Sequence, residues 1–146
     1  MRLKFIPILI LFFCFNLKSQ RANNWYFGFN AGLNFSTTPA STLSSGLTNS
    51  PDNTSTISDI NGNLLFYTNG INVWNSQHSV MPNGSGLTGN TSAGQCALIV
   101  PIPCDPNKYV IFHVTEFSNP GYLHYTVVDM SLNGGLGDVV TSQKNV

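Results

Sequence analysis

Charge is what this sequence has least of. Only 8% of its 146 residues are Asp, Glu, Lys or Arg, against roughly 25% in an ordinary soluble domain. No basic cluster exists to neutralise phosphates, which excludes a nucleic-acid partner. Glu116 is the sole glutamate. The aspartates sit mostly in turn-forming stretches, so the paired carboxylates of a glycosidase have little support.

Cysteine is scarce as well. Cys14, Cys96 and Cys104 cannot build a disulfide-rich scaffold, and no pair has zinc-ligand spacing. Ala97 to Pro103 is β-branched and proline-bearing, hence extended, which holds Cys96 and Cys104 too far apart to bond. Outside the N-terminus no segment sustains a helical period, so no substantial helix is expected. The serines lack a His/Asp arrangement, and no phosphate-cradling glycine loop precedes a helix.

What the chain does have is apolar residues, 42% of the total, with abundant Gly, Asn, Ser and Thr. That balance suits one domain of many short strands and turns. Met1 to Gln20 stands apart: Arg2 and Lys4, then the apolar Phe5 to Phe15, then a polar end. This is the order of a secretory signal peptide, and the run is short for a bilayer span. Lipidation at Cys14 fits poorly, because Phe13 sits where a small residue is wanted. The reading is therefore a signal-peptide helix over 1–20, with no transmembrane span once it is removed, and an exported domain over 21–146. Leader removal leaves three basic against six acidic residues.

The most informative stretch is Thr56 to Gly70, two strand-like runs around Asn61-Gly62. It predicts a hairpin whose two central residues take positive φ. Aligning Asp59 with Asp105 sets Asn107 against Asn61, and Val110, Ile111, Phe112 and His113 against Leu64, Leu65, Phe66 and Tyr67, an offset of 46 residues. Further strands are expected at Trp25 to Phe27, Leu33 to Phe35, Val73-Trp74, Cys96 to Val100, Tyr109 to Thr115, Leu123 to Asp129 and Val139-Val140. Thr37 to Thr54 and Pro82 to Gln95 read as long loops, and Asn133-Gly134-Gly135 as a tight turn.

Several strands carry apolar residues on both alternating sets, as sheets covered on both faces require. With the repeat, this points to an all-β, β-propeller-like fold whose four-stranded blades recur every 40–50 residues or so. About two to three blades fit between 21 and 146. A closed propeller needs roughly four or more, so the expectation is an incomplete propeller, with the chain breaking off inside its domain.

The sequence resembles the propeller-like N-terminal region of large exported surface proteins of gliding, Bacteroidetes-type bacteria, many of which end in a gliding-motility-associated or type IX secretion sorting domain. The residues that carry the resemblance are Asn24 to Gly28, Asn30 to Leu33, Ile57 to Asp59, Asn61 to Thr68, Val73 to Asn75, Met81 to Gly84, Ala97 to Pro101, Val128 to Met130 and Leu132 to Val139. They run in family order over most of 21–146, without a counterpart of the sorting domain. The resemblance implies a secreted or cell-surface protein of adhesive or structural type, linked to gliding or surface attachment. It brings no catalytic residues to transfer.

The remaining candidates for chemistry are few. Asp59, Asn61 and Asn63 place alternate oxygens on a turn, as a calcium loop does, but lack the glycine placement and terminal glutamate of an EF-hand. An Asx-supported hairpin turn is the favoured reading, from the turn preferences of Asp and Asn, and the echo at Asp105-Pro106-Asn107 strengthens it. His113 and His124 fall on neighbouring strands and could meet; His78 stands apart. Trp25, Tyr26, Tyr67, Trp74 and Tyr122 could stack on sugars, although their positions in strands favour core packing. Polysaccharide or another cell-surface protein is the expected partner. The competing reading is an extracellular propeller hydrolase acting on glycans, its site completed by further blades.

Overall fold

A computed structural model of the chain describes residues 20–115 and 122–146. The expected leader up to Ser19, with Cys14, and Glu116 lie outside the described residues. The described chain is all-β: three antiparallel sheets, each built from strands consecutive in sequence. The first sheet holds β1 (Asn24–Phe27), β2 (Ala31–Asn34) and β3 (Ser41–Leu43). The second holds β4 (Ser55–Ser58), β5 (Leu64–Thr68), β6 (Asn72–Asn75) and β7 (Val80–Ser85). The third holds β8 (Ala97–Pro101), β9 (Lys108–Val114), β10 (Leu123–Asp129) and β11 (Asp138–Val139). Among the described residues the only helical pieces are two three-residue 3-10 turns, Asn133–Gly135 and Thr141–Gln143. No helix among them is long and apolar enough to cross a membrane.

The sheets stack face to face through two apolar layers. Tyr26 of the first sheet packs on Tyr67 and Trp74 of the second, with ring centroids 4.7 Å apart for Tyr26–Tyr67 and 5.4 Å for Tyr67–Trp74. On the opposite face of the second sheet, Ile57, Phe66, Val73 and Met81 meet Ala97, Ile99, Tyr109, Ile111 and Val128 of the third. Phe66 and Tyr109 meet edge to face at 5.5 Å. The second sheet is thus apolar on both faces because it is covered on both, which is why Phe66 and Tyr67, adjacent in sequence and opposite in direction, are both fully buried.

First strands lie beside first strands. β4 runs next to β1 on one side and β8 on the other, and its hydroxyls bridge both gaps. Thr56 Oγ1 accepts from the Tyr26 amide at 3.1 Å, and Ser55 Oγ accepts from the Ile99 amide at 3.1 Å. β7 lies next to β11 at the far edges of their sheets.

Three expectations need correction. The Asn61-Gly62 hairpin is not a two-residue turn with both centres at positive φ: only Gly62 is, at 87°. Asp59 and Asn63 close a three-residue loop, with the Asp59 amide donating to the Asn63 carbonyl at 2.8 Å and the Gly62 amide to the Asp59 carbonyl at 3.1 Å. That is the turn-plus-left-handed-glycine form of hairpin. Thr37 to Thr54 is not all loop, because β3 forms within it against β2, pairing Thr42 with Leu33. Nor does the second long loop begin at Pro82. β7 continues to Ser85, since Pro82 sits on an edge strand where a missing amide can face solvent.

Candidate functional site

The Asp59 loop is the first candidate. Asp59 Oδ1 accepts from the Asn61 amide at 2.8 Å and the Asn63 amide at 2.9 Å, and Oδ2 accepts from Asn63 Nδ2 at 2.9 Å. Burial raises the Asp59 pKa, but hydrogen bonds from Asn63, Asn61 and Gly62 outweigh it and hold the carboxyl below its usual value. The loop therefore brings Asp59, Asn61 and Asn63 together, and it does so by aiming N–H donors at the carboxylate. A cation site needs oxygens converging on one point.

The echo at Asp105 shares one element of this, a carboxylate oxygen accepting from the amide two residues on, within a longer loop closed by the Ile102 amide donating to the Lys108 carbonyl. Asp105 Oδ1 accepts from the Asn107 amide at 3.2 Å, and Lys108 Nζ lies 3.0 Å from its other oxygen. Similar side-chain turns recur at Asn69, Asn75 and Asp129, which accept from the amides of Ile71, Gln77 and Ser131. The abundant Asn and Asp of the sequence thus cap turns, satisfying backbone donors that strand ends would leave unpaired.

The histidine pair does form. His113 and His124 sit directly opposite in the β9–β10 ladder, their rings stacked at 5.9 Å. His113 is buried; its Nε2 lies 3.0 Å from Thr126 Oγ1 and its Nδ1 3.5 Å from Thr88 Oγ1. Burial, with His124 adding repulsion, pushes its pKa down to about 4. Among the described residues, hydroxyls rather than carboxylates flank it, and none of them orients it as a general base. His78 packs against Tyr26 and Tyr67, and its Nδ1 lies 3.1 Å from the Tyr67 hydroxyl. Among the described residues no group of three His, Cys, Asp or Glu side chains converges as metal ligands would.

The aromatic candidates divide. Tyr26, Tyr67 and Trp74 are core, as their strand positions suggest. Trp25 and Tyr122 are not: Trp25 is 51% exposed, and Tyr122 is also exposed. Trp25 leans on Phe35 at 5.0 Å, with Phe27 exposed on the same strand face. Strand alternation sets Trp25 and Phe27 opposite Tyr26, and because the second sheet covers the Tyr26 face they are the residues turned outward. A groove of about 240 Å³ runs beside them, lined by Trp25, Tyr26, Phe27, Thr54, Ser55 and Thr56. Pockets that enclose small molecules span roughly 300–1,000 Å³, so this is an open crease with aromatic and hydroxyl walls.

Cys96 is buried and Cys104 exposed, and both are free thiols, in line with the extended segment between them. No family model, curated protein or solved structure matches the chain.

Proposed function

We propose that this chain is an exported protein, secreted or held at the outer cell surface, with a binding, adhesive or structural role, and that its three sheets are successive blades of a β-propeller. One observation carries the reading: three meanders stacked face to face with their first strands β1, β4 and β8 as neighbours. Radially stacked blades with first strands around a common axis have that order. The leader-like N-terminus and the resemblance to surface proteins of gliding bacteria supply the location and the link to surface attachment.

Recognition on such a scaffold is by surface rather than by an enclosed pocket, and the shallow crease beside Trp25 agrees with that. The partner is polysaccharide or another cell-surface protein. A glycan hydrolase ranks below this reading, because Asp59, Asp105 and Asp129 are committed to turn hydrogen bonds. Protease accessibility on intact cells tests the location, and glycan-array and surface-protein binding by the purified chain test the role. Protection from protease, or a clean lack of binding to both classes, would sink the reading.

A further inference from the structure

Two hairpin turns of the second sheet are built alike and differ in what holds their left-handed position. The Asn75 amide donates to the Ser79 carbonyl at 2.9 Å, and the His78 amide to the Asn75 carbonyl at 3.0 Å. Asn75 Oδ1 accepts from the Gln77 and Ser79 amides at 3.0 Å each. These are the hydrogen bonds that Asp59 makes with Asn63, Gly62 and Asn61 in the turn between β4 and β5. The position that Gly62 takes there, at a φ of 87°, belongs here to His78, at a φ of 60°. Glycine adopts that backbone without strain, and a residue with a β-carbon does not. An imidazole thus stands where the turn alone favours no side chain.

Its hydrogen bonds define what the ring does there. The hydroxyl of the buried Tyr67 accepts from the Leu47 amide at 3.1 Å and lies 3.1 Å from His78 Nδ1. Leu47 belongs to the connection between β3 and β4, which crosses the edge of the aromatic stack. There the Tyr26 hydroxyl meets Ser45 Oγ at 3.2 Å, and Gly46 lies so close to the Tyr26 ring that a Cβ would not fit. A hydroxyl carries a single hydrogen. With Leu47 donating to the Tyr67 oxygen, that hydrogen goes to Nδ1, and His78 is neutral with its own hydrogen on Nε2. An imidazolium has no acceptor to offer: its Nδ1–H must donate to Tyr67, and the Tyr67 hydrogen is left buried without a partner. Tyr26 of β1 and Tyr67 of β5 are the titratable groups that face His78, with ring centroids at 5.4 and 5.8 Å. Among the described residues no ionised side chain compensates a charge on it, and burial lowers its pKa.

We propose that the Tyr67 hydroxyl is the pivot of a pH-sensitive latch. With His78 neutral, it ties residues 45–47 to the turn between β6 and β7. Protonation of His78 releases that stretch from the second sheet and uncovers the edge of the Tyr26–Tyr67–Trp74 stack. A released imidazole meets water and titrates near the ordinary 6.5, whereas the latched ring resists a proton. The closed form is therefore fully favoured above that value and loses ground as pH falls below it. For one proton the opening constant rises by at most about tenfold per pH unit. The latch does not depend on how further sheets are arranged.

Amide hydrogen exchange of Leu47, read against Ile99 between neutral pH and about pH 5, is the test. The Ile99 amide donates to Ser55 Oγ between sheets two and three, so it reports opening of the whole stack. Protection at Leu47 should fall several-fold over that range, and further than at Ile99. A fall at Leu47 that merely tracks Ile99, as unfolding driven by His113 would give, overturns the latch. His78→Gly suits the left-handed turn and removes the titrating group, so it should make Leu47 protection independent of pH beyond the change seen at Ile99. Tyr67→Phe removes the pivot: Leu47 should exchange quickly at every pH, and the His78 ring, followed by NMR, should titrate closer to 6.5. An undiminished pH dependence at Leu47 in H78G, or a His78 titration unmoved by Y67F, would overturn the proposal. Should Y67F lose its circular dichroism, the H78G comparison decides.

Discussion

Asn24 and Gly62 join the first two sheets. Asn24 Nδ2 donates to the Gly62 carbonyl at 2.8 Å and reaches Ser58 Oγ at 3.0 Å, while its Oδ1 accepts from Asn34 Nδ2 at 2.8 Å. One buried amide thereby links β1 to β2, to the end of β4 and to the loop that turns β4 into β5.

Replacing Asn24 with Ala should be costly for a residue that contributes almost no apolar packing. It leaves the Gly62 carbonyl and the Ser58 hydroxyl without their partner in a buried setting, a loss of about 2–3 kcal/mol. Denaturant unfolding would measure it, with Trp74, which packs in the layer between sheets one and two, as the fluorescent reporter. A change below the scatter of surface substitutions would show that water replaces the amide there.

Metal removal should do nothing. Asp59 already accepts three N–H donors, and its loop is closed by backbone hydrogen bonds, so EDTA and added calcium should both leave the melting temperature unchanged. A calcium-dependent rise would mean that Asn61 and Asn63 turn their oxygens inward, and would revive the loop as a cation site.

The two described cysteines should differ sharply towards a thiol reagent. Cys96 is fully buried, its Sγ 3.3 Å from the carbonyls of Asn53 and Asn69, and burial pushes its pKa up to about 11. Cys104 is exposed. Of these two, native protein should release only the Cys104 equivalent promptly, and denatured protein both. Rapid native labelling of Cys96 would indicate that β8 opens easily from the second sheet.

Much of the fold was legible because strands are announced by local composition. Leu123 to Asp129 appears with the expected bounds, and Asp59 and Asp105 each fall in the turn that precedes the second strand of its sheet, β5 and β9. What was not legible depends on neighbours distant in sequence. β3 is a three-residue strand of Ser, Thr and Leu that exists because β2 offers it a ladder. The exposure of Trp25 follows from which face of the first sheet the second one covers, and no local pattern encodes that choice. At the candidate sites, sequence spacing brought the right residues together at Asp59 and at His113–His124. It could not show that backbone amides point at the Asp59 carboxylate or that the hydroxyls of Thr88 and Thr126 flank His113.

His113 gives the chain a pH dependence whose sign can be worked out. In the unfolded chain an ordinary histidine titrates near 6.5; in the fold His113 titrates near 4. Above pH 6.5 both forms are neutral and the residue contributes no pH dependence. Between 6.5 and 4 the unfolded chain binds a proton that the folded chain refuses, so stability falls as pH falls, by about 3 kcal/mol across the window. His78, also lowered by burial, acts in the same direction. Asp59 and Asp105, both lowered, lose their contribution only as pH drops below the ordinary carboxyl value of 3.8, outside that window. His113→Gln retains a group able to hydrogen-bond Thr126 and removes the titration. Its unfolding free energy should be much flatter between pH 6.5 and 4 than that of the unsubstituted chain. Equal slopes in the two proteins would mean that His113 is protonated in the fold, with Thr88 and Thr126 accepting from both ring nitrogens.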